Sequence, residues 1–91
     1  MEKIALVTGS TSNVGKSIAQ TLAQDGFFVI VTSRHENEAK EVAEHLPKKG
    51  GYYAVDFADA GQIAGLFDYI RRTCGRIDVL VPSNEAALLF P

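Results

Sequence analysis

A chain of 91 residues, 46% hydrophobic and 22% charged, has the composition of one ordinary folded domain, which sets aside disordered, collagen-like and multidomain architectures. A formal net charge of −2 leaves no basic excess for phosphate-backbone recognition, so a nucleic-acid partner is not expected. The single cysteine, Cys74, permits no internal disulfide, and the N-terminus runs directly into a strand-like stretch. No apolar run is long enough to span a bilayer, so the expectation is a cytoplasmic protein without a membrane partner.

Ile4-Ala5-Leu6-Val7 is a continuous apolar run ending at Thr8-Gly9, the pattern of a strand buried on both faces of a parallel sheet. After a polar loop from Ser10 to Asn13, the residues Ile18, Ala19, Leu22 and Ala23 recur at helical spacing, and Gly26 is a fitting stop. Phe27 to Thr32 is β-branched and aromatic and predicts a second buried strand, with Ser33 to Asn37 as its exit. Ala39, Val42, Ala43 and Leu46 share one face of a second helix, which Pro47 ends.

The turn Lys48-Lys49-Gly50-Gly51 leads into a third strand, Tyr52 to Val55, closing at Asp56. Asp59 followed three residues later by Gln62 predicts a capping box. Behind it, Ile63, Leu66, Phe67, Ile70 and Cys74 form the apolar stripe of a third helix that Gly75 stops. Ile77 to Val81 predicts a fourth strand. Strict alternation of strand and helix predicts an α/β fold, a doubly wound parallel sheet of Rossmann type. Its expected strand order is 3-2-1-4 with three helices. No repeat or linker divides the chain, so residues 1–91 read as a single part of such a domain.

The segment Gly9-Ser10-Thr11-Ser12-Asn13-Val14-Gly15 joins the first strand to the first helix. A turn there aims free backbone N–H groups and the positive end of the helix dipole above the sheet, where a pyrophosphate fits. Gly9 allows the tight turn and Gly15 a close helix–strand approach. Gly15-Lys16-Ser17 also imitates the end of a P-loop. The P-loop, however, places four residues between its first glycine and the Gly-Lys pair, and Ser10 to Val14 make five. A P-loop NTPase is therefore the less favoured reading, with Lys16 a solvated helix residue.

The Thr8-Gly9 to Gly15 segment resembles the Thr-Gly-x-x-x-Gly-x-Gly signature of the short-chain dehydrogenase/reductase family. The likeness continues in Asp56-Phe57, similar to that family's adenine-contacting acid and its apolar neighbour, and in Gly75-Arg76-Ile77-Asp78-Val79-Leu80-Val81. The resemblance implies an oxidoreductase that reduces a carbonyl by hydride transfer from a nicotinamide dinucleotide. It also implies cofactor contacts at Gly9, Ser10, Thr11, Ser12, Asn13, Val14, Gly15, Asp56, Phe57 and Ser83.

Two departures from the family pattern matter, one at a single residue and one along a four-residue segment. Asn13 replaces the middle glycine and is expected to adopt a positive φ, which Asn tolerates best after Gly. Pro82-Ser83-Asn84-Glu85 replaces Asn-Asn-Ala-Gly, and Pro82 removes a backbone donor.

NAD-binding relatives carry an acid at the end of strand two, about twenty residues past the glycine loop, to take the ribose hydroxyls. Ser33 holds that place here, and Arg34 after it offers a planar charged fork to a 2′-phosphate, so NADP(H) is favoured over NAD(H). Should the strand end later, Glu36 becomes the ribose acid and the preference reverses. His35 and His45 have no partner at ligand spacing, and no metal site is expected.

The family resemblance further implies a catalytic Tyr with a Lys four residues later. Four residues beyond Tyr52, Tyr53 and Tyr69 stand Asp56, Phe57 and Thr73, so no catalytic residue is assigned and the chain alone should be inactive. The chain reads as the cofactor-binding front of a longer reductase. The alternative is a free-standing nucleotide-binding or interaction module. Either way, strand four lies at an open edge beside the apolar tail Ala86 to Phe90, and self-association through that edge is expected.

Overall fold

The computed structural model describes residues 2–9 and 13–82. Strand and helix alternate as β1 (Ile4–Thr8), α1 (Asn13–Gln24), β2 (Phe28–Ser33), α2 (Glu36–Glu44), β3 (Gly51–Ala54), α3 (Ala60–Thr73) and β4 (Val79–Pro82). The strands form one sheet in the order β3-β2-β1-β4 with every pairing parallel, as the sequence predicts. The chain thus steps outward from β1 through β2 to β3, then returns to place β4 on the far side of β1.

All five residues of β1 are buried, which is why its sequence is a run and not an alternation. Ala5 and Val7, with Val29 and Val31 of β2, pack under α1 and α2. Those helices press down with Ala19, Ala23, Ala39 and Ala43, small side chains that let the helices approach the sheet closely. Ile4 and Leu6, with Ile30 and Val55, face the other way and meet Leu66 and Ile70 of α3. Burying a side chain of that size contributes roughly 1.5–3 kcal/mol.

Several boundaries differ from expectation for visible reasons. β4 begins at Val79 instead of Ile77. The Asp78 carboxylate takes the Ile4 N–H at 2.7 Å, and the Asp78 N–H donates to the Ile4 carbonyl at 2.8 Å, so the two residues bracket each other just ahead of the ladder. The Ile4 N–H, assisted by the Arg76 guanidinium 3.1 Å away, holds the Asp78 carboxyl below its ordinary range. Pro82, expected beyond the strand, is the last residue of β4 and lies opposite Thr8.

Phe67 was expected in the apolar stripe but is 44% exposed, because α3 covers the face of β1 and β2 and does not extend over β4. The expected positive φ at Asn13 is not found. Asn13 is the first residue of α1, where ordinary helical angles apply, and among the described residues positive φ occurs only at glycines.

Gly50 sits where the chain enters β3, and a Cβ there would stand 2.0 Å from the Val29 carbonyl oxygen. Backbone must move to admit one. Gly50→Ala is therefore expected to destabilise the protein by about 1–3 kcal/mol, the usual range for overpacking. The check is the midpoint of urea unfolding, and an unchanged midpoint would show that the two segments are not in close approach.

Candidate functional site

The carboxyl ends of β1, β2 and β3 all point to one side of the sheet, and an open cleft of about 450 Å³ lies there. Its walls are Gly9, Thr32, Ser33, Arg34, His35, Glu38, Val55, Asp56, Phe57 and Ala58. In open α/β sheets the crevice outside the carboxyl ends of the strands is where ligands bind, and 450 Å³ is within the range of small-molecule pockets.

Each wall has a local cause. Gly9 ends β1 with φ +65°, a left-handed turn that lifts the chain out of the sheet without a Cβ in the way. Thr32 is fully buried and donates its hydroxyl to the Val7 carbonyl at 3.3 Å, which ties the ends of β1 and β2 together. The β3 side is held by a small network. The Ala58 N–H donates to the Asp56 carboxylate at 2.9 Å, and the Asp56 N–H donates to the Gln62 side-chain oxygen at 2.7 Å. Asp59 caps α3, accepting from the N–H groups of Gly61 and Gln62. Gln62 thus departs from the expected capping box: its oxygen reaches past the cap residue to Asp56.

Ser33 is the last residue of β2, one position later than the sequence reading put the strand end. Its hydroxyl oxygen accepts the His35 N–H at 3.1 Å, and its proton goes to the Glu38 carboxylate at 3.3 Å. Arg34 is exposed, and among the described residues it has no hydrogen bond or ion pair.

The structure therefore brings Gly9, Ser33, Arg34, Asp56 and Phe57 to one cleft. Asn13, Val14 and Gly15 form the first turn of α1; Gly15 is buried, while Asn13 and Val14 are exposed and do not line the cleft. Ser10, Thr11, Ser12 and Ser83 lie outside the described residues. Glu36 opens α2 and is not among the cleft walls, although β2 does run one residue longer.

Glu38 was missed by the sequence reading. The only signal for it is its place in the first turn of a helix that follows the strand after two residues, which turns that side chain back over the strand end. Lys16 borders a neighbouring groove with Glu38, Glu41 and Val42 and is not among the walls of the cleft. Among the described residues there is no group of three metal-ligating side chains and no helix long and apolar enough to cross a membrane.

Comparison with known proteins now decides the family: the model of the short chain dehydrogenase family matches residues 3–88. The chain belongs to that family. It is 40% identical over 86 residues to the 3-oxoacyl-[acyl-carrier-protein] reductase FabG of Haemophilus influenzae, covering 94% of this chain and 35% of that one. Among solved structures it is similar to a metagenomic short-chain oxidoreductase in complex with NADP, with TM-score 0.80 and 27% identity over 86% of this chain and 37% of that one. It is also similar to the 3-ketoacyl-(acyl-carrier-protein) reductase of Brucella melitensis complexed with NADH, with TM-score 0.79 and 26% identity over 86% and 32%. The chain spans about a third of the length of the relatives it matches. Its four-stranded parallel sheet in the order β3-β2-β1-β4 is the fold it shares with these relatives.

The capping network makes a direct prediction. Asp59→Ala removes the acceptor for two N–H groups of α3 and is expected to lower stability by about 1 kcal/mol, with Asp59→Asn retaining most of it. Chemical denaturation of the two variants measures the difference. Equal losses would show that capping is not what the side chain contributes.

Proposed function

We propose that the chain is the dinucleotide-binding front of an NADP(H)-dependent short-chain reductase, whose Ser and Tyr-x-x-x-Lys catalytic residues lie outside these 91 residues. The activity of the whole protein is then hydride transfer from the nicotinamide to a carbonyl substrate. The observation that supports the cofactor choice is the end of β2. It presents a hydroxyl at Ser33 and an unengaged guanidinium at Arg34 on the cleft wall, with no carboxylate on the strand itself. A guanidinium offers a phosphate two parallel N–H donors, and a charge-assisted contact of that kind is worth about 1.5–3 kcal/mol.

The residues around the cleft have assignable tasks. A pyrophosphate would lie beyond Gly9 toward the start of α1, where the positive end of the helix dipole favours an anion. Asp56 and Phe57 meet the adenine, the carboxylate being held in place by Ala58 and the backbone by Gln62. Fluorescence titration with NADPH and NADH tests the assignment. NADPH is expected to bind at least about tenfold tighter, with the difference abolished by Arg34→Ala and reversed by Ser33→Asp. Equal affinities for the two would make Arg34 an ordinary surface charge.

We also propose that isolated copies associate through β4. That strand pairs with β1 on one side only among the described residues, and Leu80 at its centre is 55% exposed. An unpaired edge with apolar surface beside it is a template for another chain. Sedimentation of the 91-residue chain at high micromolar concentration is expected to show dimers or larger species. A stable monomer there would remove the proposal.

A further inference from the structure

The cofactor reading treats Ser33 and Arg34 as the groups that meet the ribose, yet the Ser33 hydroxyl is already engaged. Its proton lies toward Glu38 Oε2 at 3.3 Å, and its oxygen accepts the His35 N–H at 3.1 Å. Glu38 stands in the first turn of α2, two residues after Glu36, and its side chain lines the same cleft as Arg34. Two opposite charges thus border one small pocket, and no salt bridge joins them among the described residues.

A 2′-phosphate that takes the Ser33 proton must displace a carboxylate sharing that proton, and two anions bridged by one hydroxyl repel each other. A ribose 2′-hydroxyl meets no such opposition, because it can donate to the carboxylate. That is the role the strand-end acid has in NAD sites. Here the acid would arrive from the helix, five residues after the serine. On its other side Glu38 borders the groove lined by Lys16, Glu41 and Val42, where a displaced carboxylate meets one cation and one like charge.

We infer that Glu38 is a specificity-determining residue of this cleft, selecting for an unphosphorylated ribose and limiting the preference that Arg34 creates for the 2′-phosphate. The inference rests on the dinucleotide reading above and deepens it: the ratio between the two cofactor forms is set by Arg34 against Glu38 across the Ser33 hydroxyl.

The adenosine half of the cofactor isolates this region, so the probes are 5′-AMP and adenosine 2′,5′-bisphosphate, titrated calorimetrically into the 91-residue chain. Glu38→Gln keeps the size and most hydrogen-bonding capacity of the side chain and removes its charge. It is expected to raise the preference for the bisphosphate about tenfold, mainly by tightening that ligand. Glu36→Gln removes the same charge from the same helical turn outside the cleft, and is expected to change the ratio by less than about twofold. An unchanged ratio in Glu38→Gln, with both probes still binding, overturns the inference. So does an equal shift in Glu36→Gln, which would mark a net-charge effect. Failure of the parent chain to bind either probe overturns the dinucleotide reading instead, and this inference with it.

Discussion

β1 has no face left for solvent: Ala5 and Val7 lie under α1 and α2, while Ile4 and Leu6 lie under α3. A strand buried on both faces must also have its backbone groups paired on both edges, since an unpaired buried N–H or C=O costs as much as a lost hydrogen bond. β2 and β4 supply those partners from opposite sides. The chain can meet both demands only by winding outward on one side of β1 and then returning to the other. The strands on the outward side all run parallel, so their carboxyl ends share one end of the sheet. The cleft lies there, over the ends of β1, β2 and β3, and Gly9 is the point at which the chain leaves the sheet to border it.

The two faces of the sheet are built differently, and the difference explains which parts of the fold the sequence disclosed. Under α1 and α2 the helices contribute alanines at helical spacing, so both period and small size are visible in the chain, and these elements were located closely. The α3 face uses Leu66, Ile70, Ile63 and Tyr69 against Ile4, Leu6 and Ile30, also at helical spacing. Phe67 shares the periodic pattern and is nevertheless exposed. Period says which residues lie near one stripe of a helix, but not how far sideways the helix sits on the sheet. Leu80 shows the same limit of α3: it is opposite Leu6 in register, yet Leu6 is 1% exposed and Leu80 is 55% exposed, because α3 reaches over one and not the other.

In the site, the legible residues were those whose chemistry depends on being at a strand end. Gly9, Ser33 and Asp56 each close a predicted strand, and a parallel sheet brings all such ends to one side. Arg34 follows Ser33 directly and shares its place. Asn13 departs from the motif expectation because α1 begins at that residue, where the backbone is helical and a positive φ has no place. Glu38 was invisible to strand logic because it belongs to the following helix. Its arrival at the cleft depends on the length of the connection, which no pattern of residue types encodes.

That connection consists of Arg34 and His35 alone, with Ser33 locked into the β2–β3 ladder before it and Glu36 in α2 after it. Both ends are fixed by burial elsewhere: Ala39 and Ala43 hold the helix to the sheet, and Val31 and Thr32 hold the strand. Two residues strung between fixed ends have little freedom, so Arg34 is confined to the rim of the cleft although its side chain is exposed. The His35 N–H bond to the Ser33 hydroxyl tightens this short span further. The same confinement fixes the first turn of α2 relative to the strand, which is how a carboxylate five residues along the chain returns to the hydroxyl at the strand end. On the dinucleotide reading proposed above, cofactor discrimination is a competition within one six-residue stretch, Ser33 to Glu38, whose geometry is imposed by packing on either side of it.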